Sequence, residues 1–218
     1  MKSGQWSYSS LAEYRKCPRM WKHNHVDRLP TKATFWMRRG SNLHLHCERY
    51  ISRQIDHIIP PLLRIQQTLI ELREKGAACE RYFRLDKNWN VCEKSSQWVK
   101  GFLDASYVDD DTLHITDFKS GKIKDYHADQ LQLYAIIGAR AEQVSSVKIK
   151  AVYIDHGTTL HERDYGLEEL EAHRDRWHSE AEAMLADETY TPTPSEQSCK
   201  RCSYKSKHGG PCELWRNV

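Results

Sequence analysis

The chain has 218 residues, 39% of them hydrophobic and 29% charged, with a formal net charge of +3. That balance excludes a disordered polyelectrolyte and provides enough apolar side chain for a buried core. No apolar run approaches the ~20 residues of a membrane-spanning helix, and the polar stretch Met1–Ser10 lacks the apolar centre of a secretory signal. The expectation is a soluble, cytoplasmic protein. Seven cysteines without such a signal argue against a disulfide framework.

Ser7-Tyr8-Ser9-Ser10 offers N-cap hydroxyls to a short helix interrupted by Pro18, with Cys17 near its end. Residues 24–37, punctuated by Pro30, read as irregular. Residues 38–56 carry Leu43, His46, Cys47, Tyr50 and Ile51 on one helical stripe, and Pro60-Pro61 ends that pattern. A second helix follows over 62–75, capped by Gly76. The period then changes. Segments 79–85, 97–108 and 112–119 have strand character, and Asp109-Asp110-Asp111 joins the last two as a hairpin. Helix returns over 125–141, with Leu131, Tyr134, Ala135 and Gly138 on one face. A strand over 146–155, a turn at Asp155-His156-Gly157, a return strand over 159–165 and a charged amphipathic helix over 167–187 complete the pattern. This order predicts an α/β fold, a mixed central sheet flanked by helices. Three parts are expected: residues 1–37, a core over 38–188, and a cysteine-bearing tail over 189–218.

A hairpin turn centred on Asp110 pairs positions summing to about 220, which sets Asp104 opposite Thr116 or Asp117. Asp117 and Lys119, two apart, share a face. Two carboxylates held close repel one another, and burial adds a desolvation cost. A hard divalent cation, Mg²⁺ or Mn²⁺, relieves both, and it can polarise a phosphate and acidify a bound water. Lys119 is then placed to orient that water or to stabilise developing phosphate charge. The plainer alternative is that Asp117 and Lys119 are ordinary charges at a strand end.

Gly101-Phe102-Leu103-Asp104, then Asp117-Phe118-Lys119-Ser120-Gly121, then Gln130-x-x-x-Tyr134, preceded by Arg39-Gly40-Ser41-Asn42-Leu43-His44, resemble the PD-(D/E)xK nucleases and among them the RecB-like exonucleases. The resemblance spans about residues 6–215 and implies a restriction-endonuclease-like core. It also implies roles. His44, Asp104, Asp117 and the Phe118 carbonyl would bind the catalytic metal, and Lys119 would be the catalytic lysine. Gln130 and Tyr134, on one helix face, would line the active site and, with Arg39, meet DNA. His44 read alone is as well explained by a surface or core histidine, and His46 is its neighbouring rival. Glu48, one turn on, and Glu80, where relatives often carry a glutamate, carry less weight.

Cys199-x-x-Cys202 followed by Cys212 supplies three soft ligands. The iron–sulfur RecB-like exonucleases, of the AddB and CRISPR-adaptation types, place one cysteine before the core and three after it. The resemblance thus implies Cys17 as the fourth. Small phage-encoded exonucleases are similar in ending Gly-Gly-Pro-Cys, here Gly209 to Cys212. Nine residues separate Cys202 from Cys212, more than is usual in that group. The group held is a [4Fe–4S] cluster or Zn²⁺, with free thiols as the remaining alternative. Either metal would join the two ends of the chain. Cys47 and Cys79 read as small buried residues, and Cys92 as a loop thiol.

Basic residues gather in 15–39 (eight against Asp27) and in the tail (Lys200, Arg201, Lys205, Lys207 and Arg216 against Glu213), while 162–188 is acidic. Trp6, Tyr8, Tyr14, Trp21, Trp36, Tyr204 and Trp215 are interleaved with these cations, a mixture that suits base stacking and phosphate neutralisation, although packing in the core would explain half of them. The expected activity is a metal-dependent exonuclease on single-stranded DNA or DNA ends, leaning 5′→3′ from the resemblance. The competing readings are a non-catalytic nucleic-acid-binding module held by a structural Cys₄ metal, and an endonuclease that processes DNA ends with a recombination, repair or CRISPR-type partner. Oligomer formation is compatible with all three.

Overall fold

The computed structural model describes residues 4–214; Trp215 and Arg216, counted above in the basic and aromatic tail, lie outside them. The chain divides into two compact units, one made of Thr34–Trp177 and the other of the segments before and after it.

The terminal unit opens with the extended pair β1 (Trp6–Ser7) and the helix α1 (Tyr8–Lys16). Ser7 and Ser10 cap α1 reciprocally, each side chain accepting from the other's backbone N–H. Pro18 does not simply stop the helix. It sits at the first position of a new one, α2 (Pro18–Trp21), where a missing N–H is harmless. A π-helical turn, Lys22–Val26, follows.

The core unit starts with α3 (Phe35–Ile51), one turn earlier than the apolar stripe suggests, because the Thr34 hydroxyl caps it by accepting from Met37 N. A 3₁₀ turn (Pro60–Ile65) leads into α4 (Gln66–Glu74). The strands are β2 (Ala78–Leu85), β3 (Val99–Asp109), β4 (Thr112–Lys119), β5 (Ser146–Tyr153) and β6 (Thr158–Gly166), with α5 (Tyr126–Glu142) between β4 and β5. Within this unit they run in the order β2-β3-β4-β5-β6, antiparallel except for the parallel pair β4–β5. The mixed α/β sheet expected from the element order is present, and α5 supplies the crossover that a parallel pair requires. The longest helix, α6 (Leu167–Ala186), begins here and continues into the second segment of the terminal unit.

Helices cover both sheet faces. On one face Leu43, Cys47 and Ile51 of α3 and Leu69 and Leu72 of α4 pack with Ala105, Phe118, Val152 and Ile154. On the other, α5 lies so close that a Cβ on Gly138 would sit 2.6 Å from Leu113 and 3.2 Å from Ile115, and one on Gly101 would sit 3.0 Å from Ile137. Gly101 and Leu103 thus meet α5, whereas Ala105 meets α3 and α4. Regular pleating would put these three on one face. The alternation slips by one residue at Asp104.

The terminal unit is completed by the tail, with α7 (Glu196–Lys200) and a 3₁₀ turn over Ser206–His208. Its two segments are fastened by Tyr14 Oη donating to Asp187 (2.8 Å), Arg15 on Glu180 (2.5 Å), Thr193 Oγ1 donating to the Lys16 carbonyl (3.0 Å) and Trp21 stacked on Tyr190. Four of the seven aromatics considered above for base stacking are core: Trp6, Tyr8, Trp21 and Tyr204 are almost fully buried. For these four the core-packing alternative holds, since apolar area gains more from burial than from exposure to a ligand.

Candidate active site and a cysteine-lined cavity

The β3–β4 ladder pairs Ala105 with Thr116, which sets Asp104 directly across from Asp117. At this point the regular ladder ends. The Phe118 N–H donates to Asp104 Oδ2 instead (2.7 Å), so a side chain takes the place of a main-chain carbonyl. His44, on α3, approaches Asp104 from the opposite layer, Nδ1 to Oδ2 at 3.5 Å. Glu80 lies across from Asp104 on β2, between the Cys79–Ala105 and Arg81–Leu103 pairs, and has a left-handed backbone with φ +49°. One ligand atom from each of His44, Glu80 and Asp104 falls within 4.8 Å of the others. A non-glycine residue in that conformation stores roughly 1 kcal/mol or more.

Asp117 is almost wholly buried, 3% exposed. Its Oδ2 lies 2.6 Å from Lys119 Nζ, yet it satisfies no hydrogen bond by geometry. Burial, together with the Asp104 charge, pushes its carboxyl up to about 6 against the pull of Lys119. Burial and Asp104 likewise raise Glu80. Burial alone would lower His44, but Asp104 and Asp117 outweigh it and hold the imidazole above its ordinary value. Lys119 Nζ also donates to Gln130 Oε1 (2.7 Å), and Gln130 Nε2 donates to Tyr134 Oη (2.9 Å). A relay thus runs Asp117–Lys119–Gln130–Tyr134 along one side of α5.

The sequence profile of the PD-(D/E)XK nuclease superfamily matches residues 5–207. The chain belongs to the PD-(D/E)XK nuclease superfamily. A solved structure described as "Crystal structure of SSO0001" is similar, with 15% identity and a TM-score of 0.50 over 98% of this chain and 88% of that one. At that identity the likeness speaks for the fold alone. No match to the chain is found among curated proteins.

Membership in the superfamily implies metal-dependent nuclease activity, and the donors present in this PD-(D/E)XK chain fit a hard divalent cation. Two carboxylates and an imidazole converge, the proton affinities of Glu80 and His44 are raised, and the buried Asp117 Oδ2 makes no well-aligned hydrogen bond. The convergent triplet includes Glu80, which carries less weight in the sequence pattern, and does not include Asp117. One signal could have found Glu80: its place opposite Asp104 on the neighbouring strand. The Phe118 side chain is in the apolar core, so only its backbone is available to the site.

Arg39 is already engaged. It grips Asp155 with both terminal nitrogens (3.0 and 2.5 Å), and Asp155 Oδ2 also accepts the Gly121 N–H (2.6 Å). A Cβ on Gly40 would lie 2.9 Å from Ser120 Oγ, so α3 presses directly on the turn that follows Lys119. The guanidinium of this nuclease fastens that turn.

In the terminal unit, Cys17, Cys199, Cys202 and Cys212 line one small cavity with Arg19, His23 and Tyr204. All are unpaired thiols. Two backbone bonds (Cys212 N to Tyr204 O, 2.9 Å; Ser206 N to Cys212 O, 2.8 Å) hold the last cysteine. Gly210 lies so near the Tyr204 carbonyl that a Cβ would be 2.2 Å from it. Cys47 is fully buried, and its thiol is pushed up to about 12 by burial; Cys79 and Cys92 are partly exposed.

Proposed function

We propose that this protein is a Mg²⁺- or Mn²⁺-dependent exonuclease of the RecB-like, four-cysteine branch, acting 5′→3′ on single-stranded DNA or DNA ends. The observation that carries the catalytic reading is the His44–Glu80–Asp104 triplet set beside a buried Asp117–Lys119 pair. A cation held by the triplet, with Asp117 at its side, supplies when bound the polarisation of the scissile phosphate and an acidified water. Lys119, paired with Asp117 and aimed by Gln130, neutralises phosphate charge as the water attacks phosphorus. Tyr134 fixes the Gln130 amide, so that its oxygen faces the lysine. Arg39 holds the Ser120-Gly121 turn and with it the position of Lys119.

The four cysteines are proposed to hold a [4Fe–4S] cluster. Tetrahedral zinc at ~2.3 Å from each sulfur would bring the thiolates to within ~4 Å of one another. The cavity that the four cysteines line suits a Cys₄ set, which serves either group. Acid-labile sulfide and visible absorption in the purified protein, against stoichiometric zinc, separate the two.

Incubation with Mn²⁺ and single strands labelled at either end, beside an Asp117→Asn control, tests the activity. Metal-dependent degradation absent from the control is expected, with the 5′ label released first. Cutting of circular single strands would replace the exonuclease by an endonuclease. Intact DNA with fully loaded cysteines would leave a binding module.

A further inference from the structure

The buried stripe of α3 runs through Ile51, Cys47 and Leu43. Continued towards the N-terminus at helical spacing it reaches Gly40 and then Trp36. Trp36 is nonetheless 72% exposed, and its neighbours Phe35 and Met37 are 64% and 60% exposed. The first turn of α3 therefore overhangs the core, carrying three large apolar side chains into water. Such a patch is uncommon on a surface with no ligand to receive.

Its position is fixed by contacts already described. Arg39 and Gly40, one turn along from Phe35 and Trp36, bear on the Ser120-Gly121 turn that directly follows Lys119. Trp36 precedes His44 by eight residues, about 12 Å along the helix axis, or some three to four stacked nucleotides at ~3.4 Å each. Beyond the same turn, Ile123 and Tyr126 are exposed, and Lys124 lies over the Tyr126 ring at 5.2 Å. Arg38 and Lys122 are exposed as well. Within the segments 34–40 and 120–126, Arg38, Lys122 and Lys124 stand against a single acid, Asp125, because Arg39 is paired with Asp155. Apolar rings framed by unneutralised cations match the bases and phosphates of a nucleic-acid strand, whereas a second copy of the same basic patch would be repelled.

We propose that the overhanging turn of α3 is a stacking platform for unpaired bases, with Trp36 and Phe35 as the stacking rings and Arg38 and Lys122 as phosphate contacts, delivering single-stranded DNA to the site. The platform deepens the nuclease reading and rests on it for its purpose, but not for its test. A paired base shows only its edge in a groove; an unpaired one presents its face. Exposed rings therefore select single strands.

The test is binding of a fluorescently labelled oligo(dT), read by anisotropy without metal in the Asp117→Asn background, so that cleavage plays no part. Trp36→Ala and Phe35→Ala should each raise the Kd about 10-fold, and Trp36→Phe should recover most of the loss. Arg38→Gln should lower the slope of log Kd on log salt by about 0.7. Leu63→Ala, which removes an exposed apolar side chain from the 3₁₀ turn, should change Kd less than twofold. Unchanged affinity in both ring variants overturns the platform, as does an equal loss of affinity for blunt duplex. Concentration-dependent self-association abolished by Trp36→Ala would show the patch to be a subunit contact and also overturn it. If the wild type binds through Trp36 but cleaves nothing with metal present, the catalytic reading fails and the platform stands.

Discussion

Replacing Asp117 by asparagine should abolish cleavage and at the same time make the metal-free protein more stable. The carboxyl is 3% exposed, and its affinity for a proton is raised from an ordinary value of 3.8 to about 6. A raised folded-state value means that the folded form gains from protonation. The gain is complete below the unfolded value and is lost as pH rises through about 6. At ~1.36 kcal/mol per pH unit, the buried charge costs up to about 3 kcal/mol at neutral pH. The pull of Lys119 at 2.6 Å is already contained in that figure, and relaxation and water entry around a buried charge reduce the cost to about half. Asparagine keeps the shape without the charge, so the metal-free variant should melt about 3–6 °C higher than wild type at about pH 8, with the difference vanishing near about pH 4. Mn²⁺ should reverse the order by stabilising only the wild type. Thermal scans with chelator and with Mn²⁺, at both pH values, measure this. A chelated variant that is no more stable than wild type at the higher pH would refute the claim that Asp117 is held strained for a cation.

Arg39→Ala should cost about 1 kcal/mol of stability, the pair with Asp155 being one-third exposed, but should lower kcat much more than it raises KM by freeing the turn after Lys119. A proportional fall in stability and activity in melting and steady-state assays would contradict that. His127 donates to or accepts from Tyr153 Oη at 2.6 Å, and burial and then Lys119 lower its imidazole to about 4. The folded form therefore holds it neutral. Stability should be full above about pH 6.5 and fall by up to ~3 kcal/mol towards about pH 4, as denaturation of wild type against His127→Phe will show. Gly210→Ala forces a Cβ onto the Tyr204 carbonyl and should release the group held by the cysteines, measured as lost iron or zinc by elemental analysis.

The hairpin was legible because three consecutive aspartates mark its turn and the count from Asp110 sets Asp104 opposite Asp117 to within one residue. The helices were legible from their stripes, and the crossover helix followed from its place between two strands. What escaped the sequence depends on backbone state. The slip in alternation at Asp104 occurs inside an apparently regular strand, and the left-handed Glu80 across from it carries no glycine to announce itself. Glu80 was accordingly given less weight than its geometry supports. Among the aromatics, interleaving with Arg and Lys does not tell which rings the core will absorb, and Trp6, Tyr8, Trp21 and Tyr204 lie inside. Trp36 stayed out although it lies on the buried stripe, because α3 starts a turn before the core does.

The bond from the Phe118 amide to Asp104 has a consequence for how this nuclease can be dissected. An alanine at position 104 would delete a cation ligand and also strip a main-chain donor of its acceptor in the middle of a sheet, which costs about 1–3 kcal/mol by itself. Lost activity in that variant would confound chemistry with a frayed strand. Asparagine retains an oxygen for the amide while surrendering the charge, so the gap between the two variants measures how much of the fold is suspended from a catalytic side chain.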